Sequence, residues 1–239
     1  MKKSVMIMLA LGGFVASLQA SIVAVGVDTT TGGDWRTAAA LETDNEYGTD
    51  GYLLYGFYHA DNKYTPTYDF AWDLNTLPAG LSIAAPGSMA MWSGTGNFST
   101  MQDPLNTNAA TSVGLLLEPG VGTPDPFRYT LSRPAGSSFR LTVLVASGDG
   151  LNMEFATTVN DGTGAMSVTP VAHTADGLYY HVYDISAGSS DITVDVTTAN
   201  GFSATGFAID SYAIPEPATL GLVASFGGSV LFIRRRLML

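Results

Sequence analysis

The sequence predicts an all-β protein, an antiparallel β-sandwich set between an N-terminal export signal and a single C-terminal hydrophobic helix. Three observations predict it. Apolar residues between positions 21 and 213 recur with period 2, and no 3.6-residue period lasts beyond about two turns. Clusters of Gly, Asp, Asn and Ser interrupt that stretch at roughly ten-residue spacing. Only 13% of the residues are charged while 27 are glycine, a composition unlike that of a coiled coil or a helix-rich enzyme.

The chain opens on residues 1–20, which have the three parts of a secretory signal peptide. Lys2 and Lys3 form a charged start, Val5 through Leu18 are apolar or small, and Ala20 is the expected last residue before cleavage. Leu18 is larger than the small residue usual at that place, so an uncleaved N-terminal anchor is the alternative. The Sec translocon and signal peptidase are the partners such a segment requires.

Strands follow. Phe139, Leu141, Val143 and Val145 alternate with Arg140, Thr142, Leu144 and Ala146, and Ile192, Val194 and Val196 alternate with Thr193, Asp195 and Thr197. Residues 178–185 are rich in aromatic and β-branched side chains, as strands prefer. Phe207 and Ile209 alternate with Ala208 and Asp210. Residues 52–58 are almost continuously apolar and are expected to form a strand covered on both faces. Turn clusters separate these runs at 147–150, 160–164 and 187–190. Only residues 35–42 look helical, and briefly. Seven prolines between positions 60 and 130 make that region one of loops and edge strands.

The chain ends differently. Pro215, Glu216 and Pro217 precede sixteen uncharged, mostly apolar residues, 218–233, and then Arg234, Arg235 and Arg236. Sixteen helical residues at about 1.5 Å each reach about 24 Å, and snorkelling arginines cover part of the shortfall against a ~30 Å bilayer core. The arginines are expected to remain cytoplasmic, which places the preceding domain outside. The tail from 214 to 239, with Ile214-Pro215-Glu216-Pro217, the glycine-rich apolar run and the closing arginines, resembles a PEP-CTERM sorting signal. That resemblance implies an exosortase-like membrane enzyme as partner, a Gram-negative source, transient anchoring and then cell-surface or extracellular placement in an exopolysaccharide or biofilm setting. A plain single-span tail anchor is the alternative.

A looser resemblance covers the middle. Asp28-Thr29-Thr30, Gly33-Asp34-Trp35 and residues 47–52, together with Arg128-Tyr129-Thr130-Leu131 and Pro134-Ala135-Gly136, resemble galactose-binding-like jelly-roll domains. Such domains are similar to carbohydrate-binding modules, so polysaccharide is the partner this second resemblance implies.

Charge and chemistry narrow the function. Residues 21–214 hold 5 basic against 20 acidic residues, a balance of −15, which repels phosphate backbones and argues against nucleic acid. The sequence has no cysteine, so disulfides, thiolate metal sites and a cysteine nucleophile are excluded. It has no Gly-x-Ser-x-Gly elbow, phosphate loop or His-Glu-x-x-His motif, and the domain reads as non-enzymatic. His59, His173 and His181 are scattered, and His181 reads as a hydrogen-bonded strand histidine.

Glu42, Asp44, Glu46 and Asp50 supply closely spaced hard oxygen ligands, a candidate Ca²⁺ site whose alternative is a solvated acidic loop. Twelve of the 22 aromatic residues between 21 and 214 precede position 100. Tyr64, Tyr68, Trp72 and Trp92 are the candidates for stacking on sugar faces, whereas Trp35, Tyr47 and Tyr52 read as core. The function expected is an exported surface or matrix protein whose sandwich binds, or is embedded in, exopolysaccharide. A secreted polysaccharide-active enzyme and a purely structural matrix domain are the competing readings.

Overall fold

The computed structural model describes residues 22–28, 47–58, 64–65, 67–86, 89–93, 114–117, 126–147, 153–173, 177–188, 191–198 and 204–211. Both terminal segments, residues 35–42 and the acidic positions 42, 44 and 46 lie outside them, as do the side chains of Tyr64 and Trp92. Among the described residues no helix is long and apolar enough to cross a membrane.

The strands of the first half are β1 (Ile22–Asp28), β2 (Gly51–Leu54), β3 (Tyr64–Thr65), β4 (Leu74–Asn75), β5 (Ser82–Ala84), β6 (Ala90–Ser93) and β7 (Gly114–Leu117). Those of the second half are longer: β8 (Phe127–Ser132), β9 (Ser137–Ser147), β10 (Met153–Asn160), β11 (Ala165–His173), β12 (Gly177–Gly188), β13 (Ile192–Thr198) and β14 (Ala204–Asp210). All pairings are antiparallel. One sheet runs β1-β12-β9-β14-β2-β4, a second β11-β10-β13-β8-β5, and a small third β3-β6-β7.

The two large sheets meet face to face. On β13, Ile192, Val194 and Val196 are fully buried while the residues between them are part-exposed or exposed, which is the alternation a sheet with one covered face imposes. On β9, Phe139, Leu141, Val143 and Val145 point to the core as their spacing predicts, but Thr142 and Leu144 are buried too. All seven residues of β14 are buried. The centre of the six-stranded sheet is therefore covered on both faces. Rings from the two sheets interlock there: Tyr129 of β8 meets Phe207 of β14 edge-on at 5.0 Å, and Tyr55 packs against both. Tyr47 and Tyr52 lie in the same core, as expected.

Residues 52–58 depart from expectation. They are buried from Gly51 to Phe57, yet the strand stops at Leu54. Gly56 takes φ +66, the left-handed region, and a Cβ there would run into Met91 Sδ. The chain thus turns inside the core and lays Tyr55 and Phe57 against it, so continuous burial here reflects a packed turn rather than a two-faced strand.

Between positions 60 and 93 the strands are only two to four residues long. Two of them, β4 and β5, are the outermost strands of the two large sheets on the same side of the sandwich. Residues 76–81 connect them directly, and Thr76 N–H donates to Tyr52 O at 2.8 Å. Two sheet edges are left side by side, with a gap between them.

Candidate functional site

That gap is a cleft of ≈ 410 Å³. Leu53, Ile83, Ala84 and Ala85 give it an apolar lining, Asp73 and Asn75 a polar one, and Phe70 stands beside them. A single 3₁₀ turn, Phe70–Trp72, sets the aromatic side. Asp69 caps the turn, its carboxylate accepting the Ala71 N–H at 2.9 Å. The far end closes with Asp73 N–H donating to Phe70 O at 3.2 Å, and Tyr58 N–H donates to Trp72 O at 2.8 Å.

A turn this tight rotates successive side chains by about a third of a circle. Tyr68 goes inward and is 8% exposed, whereas Phe70 goes outward and is 50% exposed. Trp72 is intermediate and packs edge-on to Tyr68 at 6.2 Å. Tyr68 also meets Phe70 edge-on, with centroids 5.0 Å apart and planes at 89°. One ring is thus propped at the mouth of a cleft by another that belongs to the core.

The polar group beside it is held as firmly. Asp73 Oδ1 accepts the Gly56 N–H at 3.0 Å and the Tyr68 hydroxyl. Burial pushes the Asp73 carboxyl up to about 6; the two donors pull it down and neighbouring Asp69 adds to the rise. Burial, reinforced by Asp73, drives the Tyr68 phenol far above its usual range, so it stays a neutral donor. Asn75 anchors its own loop, its Oδ1 accepting the Leu77 N–H at 3.1 Å.

An open aromatic face, a carboxylate and an amide beside an apolar cleft are the side-chain types that hold a polar ring with apolar C–H faces. Of the four aromatic residues singled out in the sequence, Tyr68 is a correction: it lies in the core and presents no open face. Trp72 is half-buried against the same cluster. Tyr64 and Trp92 are register partners in β3 and β6, and their side chains lie outside the described residues. Phe70, which the sequence reading did not single out, is the ring left half-open beside the cleft. The crowd of rings around it was the sequence signal, and the rotation within the turn selected which ring emerges.

The acidic candidates divide too. Glu42, Asp44 and Glu46 lie outside the described residues, and Asp50 accepts a hydrogen bond from the Ser211 hydroxyl. Among the described residues no three His, Asp or Glu side chains gather as a metal cradle. Asp210, on β14, instead clasps this loop. Its carboxylate accepts Gly48 N–H at 2.9 Å, Thr49 N–H at 2.7 Å and the Thr49 hydroxyl at 2.9 Å. His181 is indeed a buried strand histidine, bonded to Thr157 and to His173.

No family model matches the chain, and no curated protein matches it. Among solved structures it is similar to a family 61 carbohydrate-binding module determined in complex with β-1,4-galactotriose. The match has 15% sequence identity and a TM-score of 0.26, and covers 55% of this chain and 85% of that one. At that overlap no ligand contact of the module transfers to this chain.

Proposed function

We propose that this chain is an exported, exosortase-sorted surface or extracellular-matrix protein whose β-sandwich binds polysaccharide in the cleft beside Phe70. The observation that carries the binding role is a phenylalanine held half-open to water against an apolar cleft, next to a carboxylate and an amide. A sugar ring stacked on Phe70 would bury its open face while the sugar hydroxyls reach Asp73 and Asn75. The export and sorting role is supported by the sequence alone, through residues 1–20 and the Pro215-Glu216-Pro217 tail with its three arginines. A galactose-binding-like jelly roll is the finer fold proposed for the sandwich, on the sequence resemblance of its middle segment.

The domain acts as a binder and not as a hydrolase. Glycoside hydrolysis takes two carboxyl groups across one bond, and among the described residues Asp73 is the one carboxylate lining the cleft. The full-length chain, applied to a broad glycan array, is expected to retain a defined set of polysaccharides. Phe70→Ala is expected to lose them with only a small fall in melting temperature, from the lost edge-on contact with Tyr68. A blank array, or retention unaffected by Phe70→Ala, rejects the cleft. Intact-mass measurement of protein recovered from its native cells tests the sorting: a new C-terminus near Pro217 supports it, and an intact Leu239 refutes it.

A further inference from the structure

The charges around Phe70 narrow the sugar chemistry, on the premise that the cleft is a sugar site. Among the described residues the lining has one carboxylate and no lysine, arginine or histidine. Asp69 adds a second negative charge close enough to act on Asp73. The chain as a whole carries −11. An acidic polysaccharide such as a uronic-acid polymer would be repelled on all three counts.

Neutral sugars face a different difficulty. Asp73 Oδ1 already accepts two neutral donors, the Gly56 N–H and the Tyr68 hydroxyl. Among the described residues, the groups that act on it are Tyr68, the Gly56 N–H and Asp69, none of them cationic. A further hydroxyl adds no positive charge to those the described residues bring to it. An ammonium group compensates it, and partial burial makes the attraction roughly fourfold stronger than in bulk water. Burial lifts the carboxyl toward neutrality, and a cation placed beside it would favour the charged form again.

We infer that the cleft takes an amine-bearing glycan, an amino-hexose polymer at least partly free of N-acyl groups, with one ring on Phe70 and its ammonium on Asp73. The inference depends on the carbohydrate reading above but can fail separately from it.

Titration calorimetry on the full-length chain in neutral detergent, at pH 6.5 and low salt, tests it with three oligomers of equal length. These are a β-1,4-linked glucosamine pentamer, its fully N-acetylated counterpart and a glucose pentamer. The free-amine oligomer is expected to bind roughly tenfold more tightly than the other two, and added salt to erode that margin. Asp73→Asn keeps an acceptor for Gly56 and Tyr68 and is expected to bring the three affinities within about twofold of one another. Phe70→Ala is expected to weaken all three alike. Equal or tighter binding of the acetylated or neutral oligomer overturns the inference, as does no binding of the amine oligomer. A preference that survives Asp73→Asn also overturns it, because the amine then sits elsewhere on the acidic surface. The carbohydrate reading of the cleft falls instead if the whole glycan array is blank or if retention is unaffected by Phe70→Ala.

Discussion

His173 Nε2 lies 3.2 Å from His181 Nε2 inside the sandwich, one ring from each large sheet. His173 stacks on Tyr179 at 3.9 Å and on Phe155 at 5.5 Å. His181 Nδ1 lies 2.9 Å from Thr157 Oγ1, which in turn lies 2.6 Å from the Tyr183 hydroxyl. That hydroxyl donates to Thr157 O and accepts the Val168 N–H. The chain of bonds ties β10, β11 and β12 together through neutral groups, and the Nε2–Nε2 contact needs at least one of the two imidazoles uncharged, to accept.

Acid should therefore undo it. Burial holds His173 down to about 4 and, with the neighbouring ring adding, His181 down to about 3. Unfolded histidine protonates near pH 6.5, so the unfolded chain binds more protons than the folded one below that point. The stabilisation is complete above about pH 6.5 and is lost as the pH falls toward 4. Asp73, with its raised pKa, works the other way between about pH 4 and 6, but it is one part-exposed group against two buried rings. The melting temperature is expected to drop between pH 7 and pH 4.5, by the equivalent of a few kcal/mol. His173→Phe, which preserves the aromatic stack, is expected to flatten the profile. A wild-type melting temperature that is level or rising on acidification would contradict this account.

Gly56 offers a test of the core turn. Its φ of +66 strains any residue with a Cβ, and the added carbon would meet Met91 Sδ, itself fully buried. Gly56→Ala is expected to cost about 1–3 kcal/mol in urea unfolding at unchanged m-value. Met91→Ala is itself costly, at about 2–5 kcal/mol, and the double variant is expected to lose less than the sum of the two single costs, by the steric part alone. A neutral Gly56→Ala would mean that the turn differs from the one described.

Much of this frame was legible in the sequence, and the reason is period. The β9 and β13 alternations show on their own which face is buried, because a sheet side chain repeats every second residue. Pairing was not legible. Nothing local says that Ile22–Asp28 lies beside Gly177–Gly188, or that β14 pairs with β2 some 150 residues earlier. The same limit hid His173 and His181, which face each other from different sheets. In the cleft, the crowd of rings was visible but their directions were not. Tyr68, Phe70 and Trp72 are spaced as if they shared one face of a strand, and the 3₁₀ turn separates them.

The Asp210 clasp makes a further prediction about the loop that leads into β2. Three donors from Gly48 and Thr49 converge on one carboxylate. Removing it strands two backbone N–H groups, one of them buried. Asp210→Ala is expected to destabilise the fold by about 2–3 kcal/mol and to hasten cleavage of this loop in limited proteolysis. Thr49→Val removes a single donor and is expected to cost less than half as much. Equal effects from the two substitutions would show that the hydroxyl contact, and not the N–H groups, carries the clasp.

Tyr68 governs Asp73, and that control can be measured directly. The phenol donates to the carboxylate and so favours its charged form; burial and Asp69 oppose this and leave the group at about 6. Tyr68→Phe removes the donor while keeping the ring against Tyr55 and Trp72. Carboxyl carbon NMR titration is expected to show Asp73 moving above 6, by on the order of one unit for a single lost charge-assisted bond. At pH 6.5 the variant carboxyl is expected to be less ionised than the wild-type one, so an amine-bearing oligomer should bind the variant more weakly while a neutral one is unaffected. A carboxyl that stays put or moves down would show that the phenol is a bystander, and ligand charge would then have to be read by some other group.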